Sequence, residues 1–177
     1  GAALAMLAPV VASRFSTEMN WTGSDYVVWG AMLVVGLGAF ELLIRMGQGT
    51  AYRLGAAVAV AGSFLLVWVS LAVGIIGSEN NDANMMYAGV FATLTAGTML
   101  VRGRAAGMVR TLGATAAVQV LVGAVALATD AGVEGVAWPR DVIGATGVFT
   151  LIWLVSAGLF AVAAGRADRT GEGVTAR

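Results

Sequence analysis

The chain has 177 residues, of which 59% are hydrophobic and 11% charged, with ten basic and ten acidic residues that cancel. Every basic residue is Arg; without Cys, His or Lys there is no thiolate or iron–sulfur ligation, no usual haem ligand or general base, and no Schiff-base amine. Because a soluble domain carries roughly a quarter charged residues, this composition describes an all-α protein, a polytopic transmembrane helical bundle surrounded by the lipid bilayer, with no cofactor and no nucleic-acid partner.

A spanning helix needs about 20 mostly apolar residues to cross about 30 Å of hydrocarbon. The first apolar run, 1–11, is too short to cross alone. It is expected to belong to a sixth span, with a signal peptide or a loose terminal segment as the competing readings. The polar segment "STEMNWTGSD" follows at 16–25 and carries Glu18, Asn20 and Asp25. The first clear span is expected at 26–44. It contains Glu41, with Arg45 one turn later at i+4, a spacing at which the two side chains pair at the membrane interface; a proton or cation relay at Glu41 is the alternative.

The second span is expected at 54–77, with Ser63, Ser70 and Gly77 at sevens on nearly one face. It runs into "GIIGSENNDANMMYAGV", residues 74–90, where Glu79, Asn80, Asn81, Asp82 and Asn84 interrupt the apolar sequence. Asp82 or Asn84 is placed to cap the following helix, and the dipole of that helix favours carboxylates at its start. Five carboxylate or amide side chains in six positions exceed what a cap requires. Two further readings therefore stay open for this turn, a docking surface for a partner and a cation or small-molecule site. The spacing lacks the pattern and the central Gly of an EF-hand.

The third span, 85–101, places Gly89, Thr93 and Gly97 at successive fours, a small-residue face for close helix packing. The fourth, 111–129, contains Gln119, expected to bond across helices. The fifth, 142–165, has Gly147, Ser156 and Gly158. Together 1–165 form a single transmembrane domain, and 166–177 a polar tail. Trp21, Tyr26, Trp29, Tyr52, Tyr87 and Trp138 fall near span ends, as headgroup-level aromatics do. Trp68 and Trp153 lie deeper, either packed between helices or bordering a cavity.

Charge placement predicts the threading. Arg45, Arg53, Arg102, Arg104, Arg110, Arg166, Arg169 and Arg177 fall on one side, so those loops and the C-terminus are expected in the cytoplasm. Glu18, Asp25, Glu79, Asp82, Asp130, Glu134 and Asp141 fall on the other, periplasmic or external side. If the outer turns meet, Glu18, Asn20, Asp25, Glu79, Asn80, Asp82, Asn84 and Tyr87 form a candidate external polar site or docking surface, with Glu41 and Gln119 as intramembrane candidates. A weak repeat is also present. "RLGAAVAV" from Arg53 resembles "RTLGATAAV" from Arg110, an offset of 110 − 53 = 57. "GVFATL" from Gly89 resembles "GVFTLI" from Gly147, an offset of 147 − 89 = 58. Two helix hairpins built on one plan are the reading this suggests.

The stretches "FSTEMNWTGSDY", "AYRLGAAVAVAGSFLLVWVSLAVGIIGSENNDANMMYAGV" and "GMVRTLGATAAVQVLVGAVAL" resemble an uncharacterised family of small multi-pass bacterial membrane proteins. The resemblance runs from Phe15 to about Leu127 and is densest over 68–87. Family members have a similar acidic-amide turn, usually with Pro where this chain has Asp82. The resemblance implies the membrane threading and a bacterial origin, and it implies no catalytic residues; with the charge placement, a location in the bacterial inner (cytoplasmic) membrane is expected. The functional expectation is a non-enzymatic accessory or interaction subunit, in a larger membrane complex or a homo-oligomer. A small transporter or channel using Glu41, Gln119 and the outer acidic turns is the alternative. A lipid enzyme ranks below both, because no carboxylates pair within the spans.

Overall fold

The computed structural model describes residues 23–175. The sixth span expected at 1–11, together with Glu18, Asn20 and Trp21, lies outside the described residues. Within them the chain is helical and without strands: α1 (Gly23–Met46), α2 (Thr50–Ala72), a 3-10 turn (Asp82–Met86), α3 (Tyr87–Val101), α4 (Ala105–Ala128) and α5 (Arg140–Thr175). Five segments are long and apolar enough to cross a membrane, the third combining the 3-10 turn with α3. That combination is a matter of length. The 15 residues of α3 rise only about 22 Å at 1.5 Å each, and the 3-10 turn adds about 10 Å at 2 Å per residue.

Two boundaries differ from expectation for identifiable reasons. The second span was expected to run to Gly77, but α2 ends at Ala72. The amides of Val73 and Gly74 both donate to the Val69 carbonyl, and Gly74 and Gly77 take positive φ values of 72° and 78°, which glycine tolerates and other residues resist. Ile75 and Ile76, apolar enough to read as helix, instead plug the interior from a loop, both buried. Arg110, expected in a loop, lies inside α4. The turn before α4 is made by Arg102 and Gly103, at φ 51° and 65°, so the helix restarts at once. At the far end α5 extends 36 residues, about 54 Å. It therefore outruns the hydrocarbon and carries Arg166 and Arg169 beyond it as helix.

The chain divides into two compact units at Leu42–Leu43. The first holds most of α1, whose Val27, Val34 and Val35 are exposed, as lipid-facing side chains are. In the second, α5 packs against both α4 and α2, and α4 against α3. The repeat led to an expectation of α2–α3 and α4–α5 hairpins; α4 and α5 pair in that way, whereas α2 packs chiefly on α5.

Lipid supplies no hydrophobic drive for these contacts, so close approach of small residues and a few interhelical bonds must hold them. A Cβ added at Gly62 would press on Ile152 and Trp153, one at Gly97 on Thr111, and one at Gly123 on Thr146. The small face predicted at Gly89 and Gly97 is thus the α3–α4 seam. The Ser156 hydroxyl donates to the Gly55 carbonyl at 2.8 Å, joining α5 to α2. Tyr52 meets Phe160 edge-on at 5.0 Å and donates to the Gly103 carbonyl at 2.6 Å, which ties α2, α5 and the α3–α4 turn together at one end.

Candidate functional site

The outer turn is organised by its amides rather than by its acids. The Asn84 Oδ1 accepts from the backbone amides of Ile75 and Ile76, both at 2.9 Å. Its Nδ2 donates to the carbonyls of Ser78 at 2.7 Å, Asn81 at 3.1 Å and Ile76 at 3.3 Å. One side chain therefore fixes the loop that replaces the last turn expected of α2. Asn81, and not Asp82 or Asn84, caps the 3-10 turn, and α3 itself follows Met86 without a side-chain cap. The Asn81 backbone is extended, and its Oδ1 accepts from the Ala83 amide at 2.9 Å, two residues on, as N-cap side chains do. Its Nδ2 reaches across to the Ala131 carbonyl at 2.7 Å. Nearby, Gly77 lies against the backbone of Gly132 and Gly135, so tightly that a Cβ on Gly135 would stand 2.8 Å from Gly77 Cα. The α2–α3 and α4–α5 loops therefore interlock.

Three of the remaining sequence candidates stay on the surface of the outer turn. Glu79, Asn80 and Asp82 are exposed, and Asn80 donates to the Glu79 carboxylate at 3.3 Å. Tyr87, expected to rim an external pocket, is buried at 1% exposure with its hydroxyl unbonded, within electrostatic reach of Asp141. Asp25 occupies the first turn of α1, where the helix dipole favours a carboxylate. Glu41 and Arg45 stand one turn apart on α1, both exposed. Among the described residues no three His, Cys, Asp or Glu are grouped to hold a metal ion.

Gln119 is different. It is fully buried on the inner face of α4, and neither its Oε1 nor its Nε2 has a hydrogen-bond partner; the expected bond across helices is not made. Trp153 is fully buried on α5 with its Nε1 likewise unbonded, and the buried hydroxyls of Thr146 and Thr150 on the same helix are unbonded too. The two threonines escaped the reading from sequence because Thr inside a span ordinarily bonds back to its own helix. Their spacing was the available signal: 146, 150 and 153 fall at i, i+4 and i+7, one helix face.

Comparison with protein-family models, with curated proteins and with solved structures finds no match for this chain.

Proposed function

We propose that the protein is a non-catalytic interaction subunit of a membrane assembly, held there by the outward face of α5. The observation that carries this reading is a line of glycines with nothing against them. A Cβ added at Gly144, Gly147, Gly158 or Gly165 would meet no atom within 4 Å. Leu151 and Leu154 stand exposed on the same face. Glycine costs up to about 1 kcal/mol relative to Ala in a helix interior, and lipid gains nothing from it. A second helix does, because its backbone can approach closely at each one. Elsewhere in α2–α4 an open glycine is isolated, Gly113 on α4, whereas Gly55, Gly62, Gly97 and Gly123 are filled by a neighbouring helix.

The same reading places the chain in a bacterial inner membrane with its Arg-bearing loops in the cytoplasm, following the charge distribution and the family resemblance. The capping role of Asn81 and the bracing role of Asn84 also support it, since they leave the outer turn occupied with its own fold. Native mass spectrometry of the protein drawn gently from its own membrane tests the proposal. A reproducible heteromeric mass is expected, lost in Gly147→Leu and Gly158→Leu while the chain stays folded. A monomer, or copies of this chain alone, would count against it.

A further inference from the structure

The proposed interaction face leaves the interior of the α4–α5 hairpin unexplained, and five of the seven unbonded buried side-chain atoms among the described residues lie on its two helices. The backbone of Gly123 abuts Thr146 closely enough that no Cβ fits between them. The two helices follow one another in an antiparallel hairpin, so one turn back on α4 corresponds to one turn forward on α5. Gln119 is one turn before Gly123, and Thr150 one turn after Thr146, so the two share a level. Trp153 is the next inward residue of α5, and its ring edge lies against Gly62. Thr146 therefore lies one turn to one side of the level shared by Gln119 and Thr150, and Trp153 about one turn to the other, and the four make up one polar layer of the bundle.

Several other span hydroxyls satisfy themselves, although those of Ser70 and Tyr87 are buried and unbonded as well. Ser63, Thr93, Thr115 and Thr129 each donate to the carbonyl four residues back, at 2.8 to 2.9 Å. Thr146 and Thr150 have the same option and do not take it. Leaving a buried donor or acceptor unmade costs about 1–3 kcal/mol, and hydrocarbon offers no solvent to make up the loss. The layer needs an acceptor for the Trp153 N–H and a donor for the Gln119 carbonyl, with the hydroxyls able to serve either way. A guest must therefore both donate and accept. It must also be uncharged, because stretches 54–77, 87–101, 111–129 and 142–165 contain no ionisable side chain except Tyr87, and an unpaired ion at that depth is expensive.

We infer that Gln119, Thr146, Thr150 and Trp153 form an intramembrane binding site for water, a small neutral molecule that donates and accepts at once. A buried water typically makes about three hydrogen bonds, which this layer supplies. The site is independent of the α5 outer face and stands whether or not that face holds a partner.

Water-edited solid-state NMR on the full chain in lipid bilayers reads this directly. At short mixing times the Gln119 Nε2 and Trp153 Nε1 signals are expected to gain polarisation from water as early as the Asn80 side chain in the outer turn. The backbone amide of Leu151, on the outward face of α5, should lag. Gln119→Leu should abolish the early Trp153 signal. If the two wild-type side chains lag with Leu151, the inference is overturned, and this holds even where the variant does not fold. An early Trp153 signal that survives Gln119→Leu would remove Gln119 from the site and overturn it equally.

Discussion

With one oxygen and one nitrogen, the Asn84 side chain reaches five backbone groups of the loop 75–81. Glu79 and Asp82, the more conspicuous residues in the sequence, lie exposed. An amide can do what a carboxylate cannot, donating to carbonyls while accepting from N–H groups. That difference is legible in residue chemistry, yet a run of Asn and Asp does not say which member faces inward. Asn84→Ala is expected to lower stability by about 2 kcal/mol, since it leaves part-buried backbone groups unpaired, and to open the outer loop to protease. Glu79→Gln and Asp82→Asn should change stability by less than about 0.5 kcal/mol, as exposed substitutions usually do. Thermal unfolding in one detergent compares all three. Equal melting temperatures for Asn84→Ala and the two carboxylate variants would contradict the bracing role.

At the level of elements, the positions of the helices followed from apolar run length, and one seam, α3–α4, from the spacing of small residues. Gly89 and Gly97 were expected on a packing face, and on α3 they lie against α4, whereas Gly147 and Gly158 meet no neighbour. What the run length could not show is where an apolar stretch stops being helical. "GIIG" reads as the end of a span, but two glycines at positive φ and the grip of Asn84 turn it into a buried loop. A second ambiguity concerns which glycines face a helix and which face lipid, since the residue type is the same at both. The structure separates them, and substitution should as well. Gly123→Leu forces a side chain into Thr146 and is expected to cost about 1–3 kcal/mol through overpacking. Gly144→Leu meets nothing within 4 Å and should leave the melting temperature nearly unchanged. Equal losses for the two would contradict the assigned α4–α5 seam.

For the molecule as a whole, composition and apolar run length pointed to the class, and the described residues are helical with five segments able to cross a membrane. Function was far less legible, because the polar residues that stand out in the sequence serve loops and caps, while the unbonded Thr146 and Thr150 look like ordinary span residues. Gln119 and Trp153 were the exceptions, singled out in the sequence and found buried and unbonded. The outward glycines of α5 join these levels, since they cost helix stability at each residue, leave one element uncovered within its unit and, in the function proposed, supply a surface for another membrane protein. A photo-crosslinking amino acid at Leu151, activated in the native membrane and read by mass spectrometry, tests that claim most directly. An adduct joining α5 to a different membrane protein, lost in Gly147→Leu and Gly158→Leu, is the result predicted. Adducts to lipid alone, or to this chain alone, would contradict it.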